Sequence, residues 1–456
     1  MVSVSEDRSV LRLYSMRLPM RSPPKEMDAM EKLRRGGISV GDEVRVRNGA
    51  GEMKGILLPH HDFSRRDVFT IKLSSGYNTG IRYDDNTQVE KIASAPVPEP
   101  HASAQRRGSS SGKRVAFIGT GGTIASYVDY RTGGVFPAYD ADGIVSLVPE
   151  ISGICSLEGR NLFSEMSENF GHREWSSLAE EVASRLNAGY NGVLISHGTD
   201  TMSYTAAALS FMLHDLTGPV VLVGAQRSPD RPSFDGYLNL LCASRVAAES
   251  DIGEVVVVMH SNSSDGGCTI HRGTKVRKMH SSRRDAFRSI NAQPIGFVNG
   301  GVRCTSPYRK ASPGTVTAET SMSKDVVLVQ FYPDMGKKDF LDPTEGKRGV
   351  VIAGTGLGHV SSELVKSITM RVSENVAVVA TTQCLYGTTD LNVYSTGRDM
   401  LKAGVIPGGD MLPEVAYVKL RYVLAHHRSN DSIRHAMMSN LAGELTDRRE
   451  GTVDAE

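Results

Sequence analysis

Short, continuous runs of β-branched residues alternate with helical segments from Lys113 onward, and this alternation constrains the fold more than any other feature of the sequence. Four such runs read RVAFIG, GVLIS, PVVLV and EVVVVMH. Strands that are apolar along their whole length are typical of parallel sheets with both faces covered. A helical stretch, TMSYTAAALSFMLHDL, follows the second run, and an amphipathic stretch from Asp235 to Ser250 precedes the fourth. The pattern predicts an α/β domain built on a parallel sheet.

Changes in the pattern divide the rest of the chain. Short alternating strands between Gly, Asn and Asp turns predict a small β-barrel near the N-terminus, where Val44 and Val46 alternate with Arg45 and Arg47. Later runs, VVLVQFY, RGVVIAGTGLG and NVAVVATTQ, begin a smaller α/β unit that ends in an amphipathic helix, PEVAYVKLRYVLAHH. We expect an arm over 1–36, the barrel over 37–93, a Pro- and Ser-rich flexible linker over 94–112, the larger α/β domain over 113–305, an interdomain linker over 306–321 and the smaller α/β domain over 322–456.

The composition excludes several classes of protein. The chain of 456 residues has 52 Lys and Arg against 51 Asp and Glu, so its formal charge of +1 does not fit a polycation acting on nucleic acid or membranes. Its five cysteines are widely spread without a C-x-x-C pair, which argues against a disulfide framework and a structural zinc site. The first residues do not have the pattern of a signal peptide, and apolar runs fall short of the roughly 20 residues that span a bilayer. We therefore expect a cytoplasmic protein without membrane contact.

The first candidate site is the glycine-rich turn GTGGTIA, which follows the RVAFI strand. Ligands of open α/β sheets bind at the carboxyl ends of the strands. A dinucleotide-binding fingerprint would need Gly where the chain has Ile124, and GSSSGK at Gly108 to Lys113 has the wrong spacing for a phosphate-binding Walker loop. The turn thus offers a hydroxyl, Thr123, among backbone N–H groups; a purely structural turn is the alternative.

The second and third candidates are HGTDT, residues 197–201, and the basic stretch His271 to Arg288. In HGTDT a hydroxyl and a carboxylate stand side by side at a helix start, where they could also act only as helix caps. The basic stretch could be a solvated loop or a face that contacts RNA phosphates. A lysine of this stretch that is buried near Asp200 could instead serve as a base.

Together, GTGGTIA, ISHGTDTM and VRKMHSSRRDAFRS resemble motifs of the asparaginase/amidohydrolase family, in the same order along most of the chain. The resemblance implies a two-domain asparaginase-like α/β fold, with a larger parallel-sheet domain and a smaller one. It also implies that Thr123 is the nucleophile and that Thr199, Asp200 and Lys278 form a supporting triad. Lys278 is preferred to Lys275 because its segment matches the family without a gap.

The same resemblance suggests further residues around the substrate. Ser164 and Glu165 in LFSEM occupy a substrate-binding place, although Glu165 replaces the Gln of simple asparaginases and suits the substrate ammonium better than its carboxylate. Tyr130 is expected to relay the nucleophile's proton, unless Thr199 and Lys278 do so. His359 in GTGLGH matches a position that reaches the active site of a neighbouring subunit; a helix-cap histidine is the alternative. The loop 126–142 places tyrosines near glycines, as in a lid.

The N-terminal barrel, the linker and the segments VDYRTGGVFPAYDADGI, NLFSEMSEN and GDMLPEVAYVKLRYVLAH resemble the family of archaeal glutamyl-tRNA(Gln) amidotransferase D subunits. This resemblance implies a glutaminase or asparaginase that hydrolyses glutamine or asparagine through an acyl-threonine and delivers ammonia to a partner, the E subunit of the amidotransferase. The E subunit would convert Glu-tRNA(Gln) to Gln-tRNA(Gln), which makes the whole a glutamine-hydrolysing glutaminyl-tRNA synthase. ATP and Mg are implied for the partner, and no cofactor or metal for this chain. A homodimer of this chain and a heterotetramer of two D and two E subunits are also implied.

Two other functions remain open from the sequence. One is a free-standing cytoplasmic L-asparaginase or glutaminase with an added barrel. The other is a binding module whose amidase fold has lost activity, which the presence of Thr123, Thr199, Asp200 and Lys278 disfavours. The barrel and the C-terminal helical segment favour the amidotransferase subunit over the free-standing enzyme.

Overall fold

A computed structural model describes most of the chain. The described residues form two compact units, one over 28–94 and one from residue 112 onward. No helix among the described residues is both long and apolar enough to cross a membrane. The described residues are 28–49, 51–60, 65–73, 78–94, 112–122, 124, 126–128, 135–137, 143, 146–229 and 234–446.

The first unit is a short helix with an antiparallel sheet of five described strands. The elements are α1 (Ala29–Arg35), β1 (Glu43–Asn48), β2 (Gly51–Leu57), β3 (Val68–Leu73), β4 (Asn78–Arg82) and β5 (Gln88–Ala93). The strands lie in the order β4-β3-β2-β1-β5. Val44 and Val46 are fully buried, while Arg45 and Arg47 on the other face pair with acidic side chains. The alternation predicted from the sequence is therefore confirmed in β1.

The second unit begins with the larger domain, which is built on a sheet of eight described strands. They are β6 (Arg114–Gly119), β9 (Ser156–Asn161), β10 (Gly192–Ser196), β12 (Val220–Val223), β13 (Val255–His260), β14 (Cys268–Arg272), β17 (Gly296–Asn299) and β18 (Gly301–Cys304). Their order is β18-β17-β14-β13-β12-β10-β6-β9. Strands β9, β6, β10, β12 and β13 are parallel neighbours in this order, and all of them except β9 were predicted. Strands β14, β17 and β18 add an antiparallel edge that was not predicted.

Helices cover both faces of this sheet. They are α2 (His172–Asn187), α3 (Met202–Met212) and α4 (Gly236–Glu249). Ile118 and Val193 point to the face packed by α2 and α3, and Phe117 and Leu194 point to the face packed by α4. The short strand pairs are β7 (Ser126–Val128) with β8 (Val135–Pro137), β11 (Leu213–His214) with β19 (Thr317–Ala318), and β15 (Val276–Lys278) with β16 (Phe287–Ser289). The predicted helix after HGTDT ends at Met212 because the next two residues form β11.

The smaller domain is a sheet of four described parallel strands with helices on both faces. Its strands are β20 (Val326–Gln330), β21 (Gly349–Gly354), β22 (Ala377–Thr382) and β23 (Ile406–Pro407). Its helices are α5 (Lys337–Thr344), α6 (Ser362–Ser373), α7 (Ser395–Ala403), α8 (Pro413–His426) and α9 (Asn430–Met438). Helix α8 contributes Leu420 to the core of the smaller domain and Val415 and Val418 to the core of the larger one. This helix therefore ties the two α/β domains together.

Candidate active site

The two threonine-containing motifs meet because they follow neighbouring parallel strands. Thr120, which follows β6, donates from both its backbone N–H (3.2 Å) and its hydroxyl (2.7 Å) to the Ser196 carbonyl at the end of β10. Gly122 has a φ of +81°, and a Cβ built there would lie 2.5 Å from the Gly198 nitrogen. A side chain at position 122 would thus be strained and would collide with the HGTDT backbone.

Lys278, the last residue of β15 in the β15–β16 hairpin, approaches the second of these motifs. Its Nζ lies 2.8 Å from Thr199 Oγ1 and 2.8 Å from Asp200 Oδ1. The Lys278 side chain is 11% exposed and that of Asp200 is 73% exposed, so the pair opens toward solvent on the carboxylate side. The adjacent residues Thr199 and Asp200 thus lie within hydrogen-bonding distance of Lys278 Nζ, so three of the four residues assigned to catalysis are brought together.

The remaining catalytic assignment, Thr123, lies outside the described residues, and so does Tyr130. Most of the predicted lid, 126–142, is outside them as well. The residues on either side of Thr123 are described: Gly122 lies against Gly198, and Ile124 is fully buried in the core of the larger domain.

The segment with Ser164 and Glu165 runs along the first motif. The Glu165 amide donates to the Thr120 carbonyl over 3.3 Å, and a Cβ at Gly121 would lie 2.6 Å from the Glu165 carbonyl oxygen. The Ser164 and Glu165 side chains are exposed. Their backbone is at the edge of the site, while the described hydrogen bonds of Lys278 do not include them.

His359 lies on the smaller domain, in the turn after β21. Its ring packs edge-on against Tyr394, with 5.0 Å between centroids, and a Cβ at Gly397 would lie 2.6 Å from its Cε1. Both ring nitrogens are buried without a hydrogen-bond partner in the part of the chain that the structure describes. Within this chain, His359 does not join the described hydrogen bonds of Thr199 and Lys278.

His197 supports the second motif, a role that the sequence did not suggest. It is fully buried, its ring contacts that of Phe170, and its Nδ1 lies 2.7 Å from the Gly198 carbonyl. Burial lowers the pKa of His197 to about 4, so the imidazole is neutral at physiological pH and Nδ1–H donates to Gly198. The only sequence signal for this residue was its position inside HGTDT.

Asp235 also supports the site from a distance, and it was not predicted from the sequence. Its carboxylate accepts from the backbone N–H groups of Gln226 and Arg227, both over 2.9 Å, and so fixes the loop after β12. A Cβ at Gly224 in this loop would lie 2.8 Å from Thr199 Cγ2. An Asp at the start of an amphipathic helix predicts a helix cap; here it accepts from a neighbouring loop instead.

The basic stretch 271–288 is mostly structural in this fold. Arg272 pairs with Glu254, and Arg288 pairs with Asp285. His271 and Lys275 are buried. Among the described residues, no three His, Cys, Asp or Glu side chains are grouped as metal ligands. The described site thus brings together the Thr199 hydroxyl, the Lys278 amine and the Asp200 carboxylate, groups that are suited to acyl transfer.

Comparison with protein-family models places three families along the chain. Residues 38–92 match the GatD N-terminal domain, residues 114–309 match "Asparaginase, N-terminal", and residues 325–437 match the Glutaminase/Asparaginase C-terminal domain. Among solved structures, the thermostable L-asparaginase from Thermococcus kodakarensis aligns with a TM-score of 0.67 and 32% identity, over 74% of this chain and 100% of that one. A probable cytoplasmic L-asparaginase from Campylobacter jejuni aligns with a TM-score of 0.61 and 28% identity, over 72% of this chain and 100% of that one. The two-domain asparaginase-like fold is confirmed.

Curated relatives match over nearly the whole chain. The D subunit of glutamyl-tRNA(Gln) amidotransferase from Pyrococcus furiosus is 50% identical over 92% of this chain and 98% of its own. The proteins of that name from Thermococcus kodakarensis and Saccharolobus islandicus are 47% and 44% identical, over 91% and 92% of this chain and 96% of each relative. The predicted resemblance is confirmed, and the chain belongs to the family of glutamyl-tRNA(Gln) amidotransferase D subunits.

Proposed function

We propose that this chain is the amide-hydrolysing subunit of a tRNA-dependent amidotransferase, with glutamine or asparagine as the amide donor. The observation that carries the proposal is the position of Lys278 Nζ, 2.8 Å from both Thr199 and Asp200, beside the contact between Gly122 and Gly198. An amine that contacts a hydroxyl can accept or relay a proton during nucleophilic attack. The names of the curated relatives support the pairing of this hydrolysis with glutamyl-tRNA(Gln).

The proposed reaction has two halves. Thr123 Oγ attacks the side-chain amide carbon of the substrate, and its proton passes through Tyr130 or through Thr199 and Lys278 to the amide nitrogen. The carbon–nitrogen bond breaks, ammonia leaves, and an acyl-threonine ester remains. Water then adds to the ester carbon, gives up its proton by the same route and releases glutamate or aspartate with free Thr123.

Two features of the site suit this reaction. Backbone N–H groups near Gly122 and Thr199 would stabilise the oxyanion, and removing one such donor typically costs about 3–4 kcal/mol of transition-state stabilisation. Asp200, with its carboxylate largely exposed, suits the ammonium of an α-amino acid, while Ser164 and Glu165 lie at the edge where the rest of the substrate would extend.

The ammonia would be used by a partner. We propose that the E subunit phosphorylates the glutamate of Glu-tRNA(Gln) with ATP and Mg and accepts ammonia through an enclosed route, in an assembly of two D and two E subunits built on a D homodimer. His359 would act across that homodimer. Such an arrangement separates amide hydrolysis on this chain from transamidation on the partner.

Thr123→Ala tests the proposal in the purified two-subunit complex. Glutamine-dependent ammonia release should be abolished, because the nucleophile is lost, while transamidation with added ammonium should continue, because that step occurs on the partner. Thr369→Ala, on α6 of the smaller domain, is the control and should behave as wild type. Glutamine-dependent turnover that survives Thr123→Ala would contradict the nucleophile assignment.

The wild-type chain tests the remaining alternative. Ammonia release from glutamine should be weak for the chain alone and should rise with the partner, Glu-tRNA(Gln) and ATP. Strong release without any of them would instead indicate a free-standing asparaginase or glutaminase.

A further inference from the structure

The hairpin that carries Lys278 has little support from the main sheet. Strands β15 and β16 have three residues each and pair only with each other among the described strands. On one side the hairpin borders a cavity of about 1140 Å³ between the two α/β domains, with Arg288 and Ser289 in its lining. Val276 and Phe287 anchor the opposite side of the hairpin in the core of the larger domain, where both are fully buried. On the cavity side, neither a sheet ladder nor close packing holds the hairpin.

The smaller domain holds both ends of this hairpin through one residue, Asp410. Its carboxylate accepts from Lys275 Nζ over 2.6 Å, just before β15. Its backbone carbonyl accepts from Asn291 Nδ2 over 3.0 Å, two residues after β16. Asn291 Oδ1 in turn accepts from the Gly387 N–H over 2.8 Å, so a second loop of the smaller domain holds the same end.

The Lys275–Asp410 pair is buried, with the Lys275 side chain only 2% exposed and the Asp410 side chain 12% exposed. Burial lowers the pKa of Lys275, and the Asp410 carboxylate opposes that shift. A buried ion pair is a poor way to gain stability, since apolar residues of similar size often do as well. What such a pair does supply is a fixed distance and direction between two segments.

We infer that Asp410, together with Asn291, is a positioning residue for the proposed amide hydrolysis. These residues fix the hairpin so that Lys278 stays within reach of Thr199 and Asp200. The smaller domain thereby sets the geometry of a site that lies on the larger one. The inference rests on the proposed function, because its effect is measured on that reaction.

Asp410→Asn in the two-subunit complex is the main test. The change leaves Lys275 without its charged partner, so the hairpin and Lys278 should move relative to Thr199. The kcat of ammonia release from glutamine should fall about 10- to 100-fold, since small misplacements of a catalytic group have effects of this size. The KM should change much less, because Lys278 acts on Thr199 rather than on bound substrate. Asp410→Glu, which keeps the charge, should restore part of the kcat.

Arg371→Met is the matched control. Arg371 is also a buried cation; it pairs with Glu374 over 2.8 Å and donates to Thr344 Oγ1 over 2.9 Å, within the smaller domain. This variant should lower the melting temperature and leave the kcat of the folded enzyme near that of wild type. A merely structural role for Asp410 would make the two variants alike.

Asn291→Gly tests the same inference if Asp410→Asn does not fold. Asn291 has a φ of +58°, which glycine adopts without strain, so this variant removes two side-chain hydrogen bonds at little cost to the backbone. We expect a kcat reduced several-fold with a nearly unchanged melting temperature.

Two results would overturn the inference: a wild-type kcat in Asn291→Gly and in folded Asp410→Asn, or an equal kcat loss in Arg371→Met. Failure of the proposed function has a different signature, since the wild-type complex would then release no ammonia from glutamine or would do so in Thr123→Ala.

Discussion

Gly122→Ala tests whether the close contact between the two threonine motifs is required for the site. Gly122 has a φ of +81°, and its Cβ would lie 2.5 Å from the Gly198 nitrogen and 2.9 Å from the His197 carbonyl carbon. Because these are backbone atoms, they cannot rotate away as a side chain would. Gly189 offers a matched control: its φ is +83°, and nothing lies within 4 Å of the position that a Cβ would take there.

Both variants carry the cost of a left-handed backbone conformation, and only Gly122→Ala also carries a cost of overpacking. The left-handed conformation costs a residue with a Cβ about 1–2 kcal/mol, and both alanines carry this cost. Overpacking adds about 1–3 kcal/mol, and only position 122 carries it. We therefore expect Gly189→Ala to lose about 1–2 kcal/mol of stability and Gly122→Ala about 2–5 kcal/mol.

Thermal unfolding and ammonia release from glutamine by the two-subunit complex measure both effects. The melting temperature should fall about 1.5 to 4 times as far in Gly122→Ala as in Gly189→Ala. The activity of folded Gly122→Ala should fall about 100-fold, because the motifs are pushed apart, while Gly189→Ala should keep the wild-type rate. The reasoning is refuted if the two alanine variants are equally stable and equally active.

Two further predictions concern buried titratable side chains. Burial lowers the pKa values of His197 and His271 to about 4 and about 3, so the unfolded chain binds protons that the folded chain does not as the pH falls below 6.5. Each histidine should therefore remove about 2 kcal/mol of stability between pH 7 and pH 5. The melting temperature of His271→Gln should therefore fall less steeply with decreasing pH than that of wild type. An unchanged slope would contradict this prediction. Lys419→Met should cost about 3–5 kcal/mol, because it leaves the buried Glu444 carboxylate without its charged partner. Lys402→Met, in an exposed pair, should cost less than about 1 kcal/mol in the same unfolding measurement. Equal losses in these two lysine variants would count against the burial argument.

Much of the fold could be predicted from the sequence because it depends on local patterns. The apolar runs became the parallel strands β6, β10, β12 and β13, and the amphipathic stretch at 413–427 became α8, which begins at Pro413 and ends at His426. The antiparallel edge formed by β14, β17 and β18 could not be predicted in this way. Strands β17 and β18 have four residues each, with exposed residues among them, so neither carries the continuous apolar run that marks the parallel strands.

The candidate site, too, could be predicted from the sequence only in part. Each motif's place directly after a predicted parallel strand was enough to put Thr120 and Gly198 at the carboxyl edge of the sheet. Their contact depends on β6 and β10 being neighbours, which only the structure shows. The support from His197 and Asp235 could not be inferred, since each acts through a backbone group whose position only the folded loops define.

The sequence by itself determined the parallel α/β sheet and the two motifs at its carboxyl edge, because periodicity and the place of a motif directly after a strand are properties of the chain. The family resemblance already favoured Lys278 over Lys275, but only the tertiary structure showed what each of these two lysines contacts. Lys275 is buried against Asp410 of the smaller domain, and Lys278 reaches Thr199 and Asp200. The physical reason is that a short hairpin between two domains presents neighbouring side chains to different surroundings, and those surroundings exist only once both domains have packed.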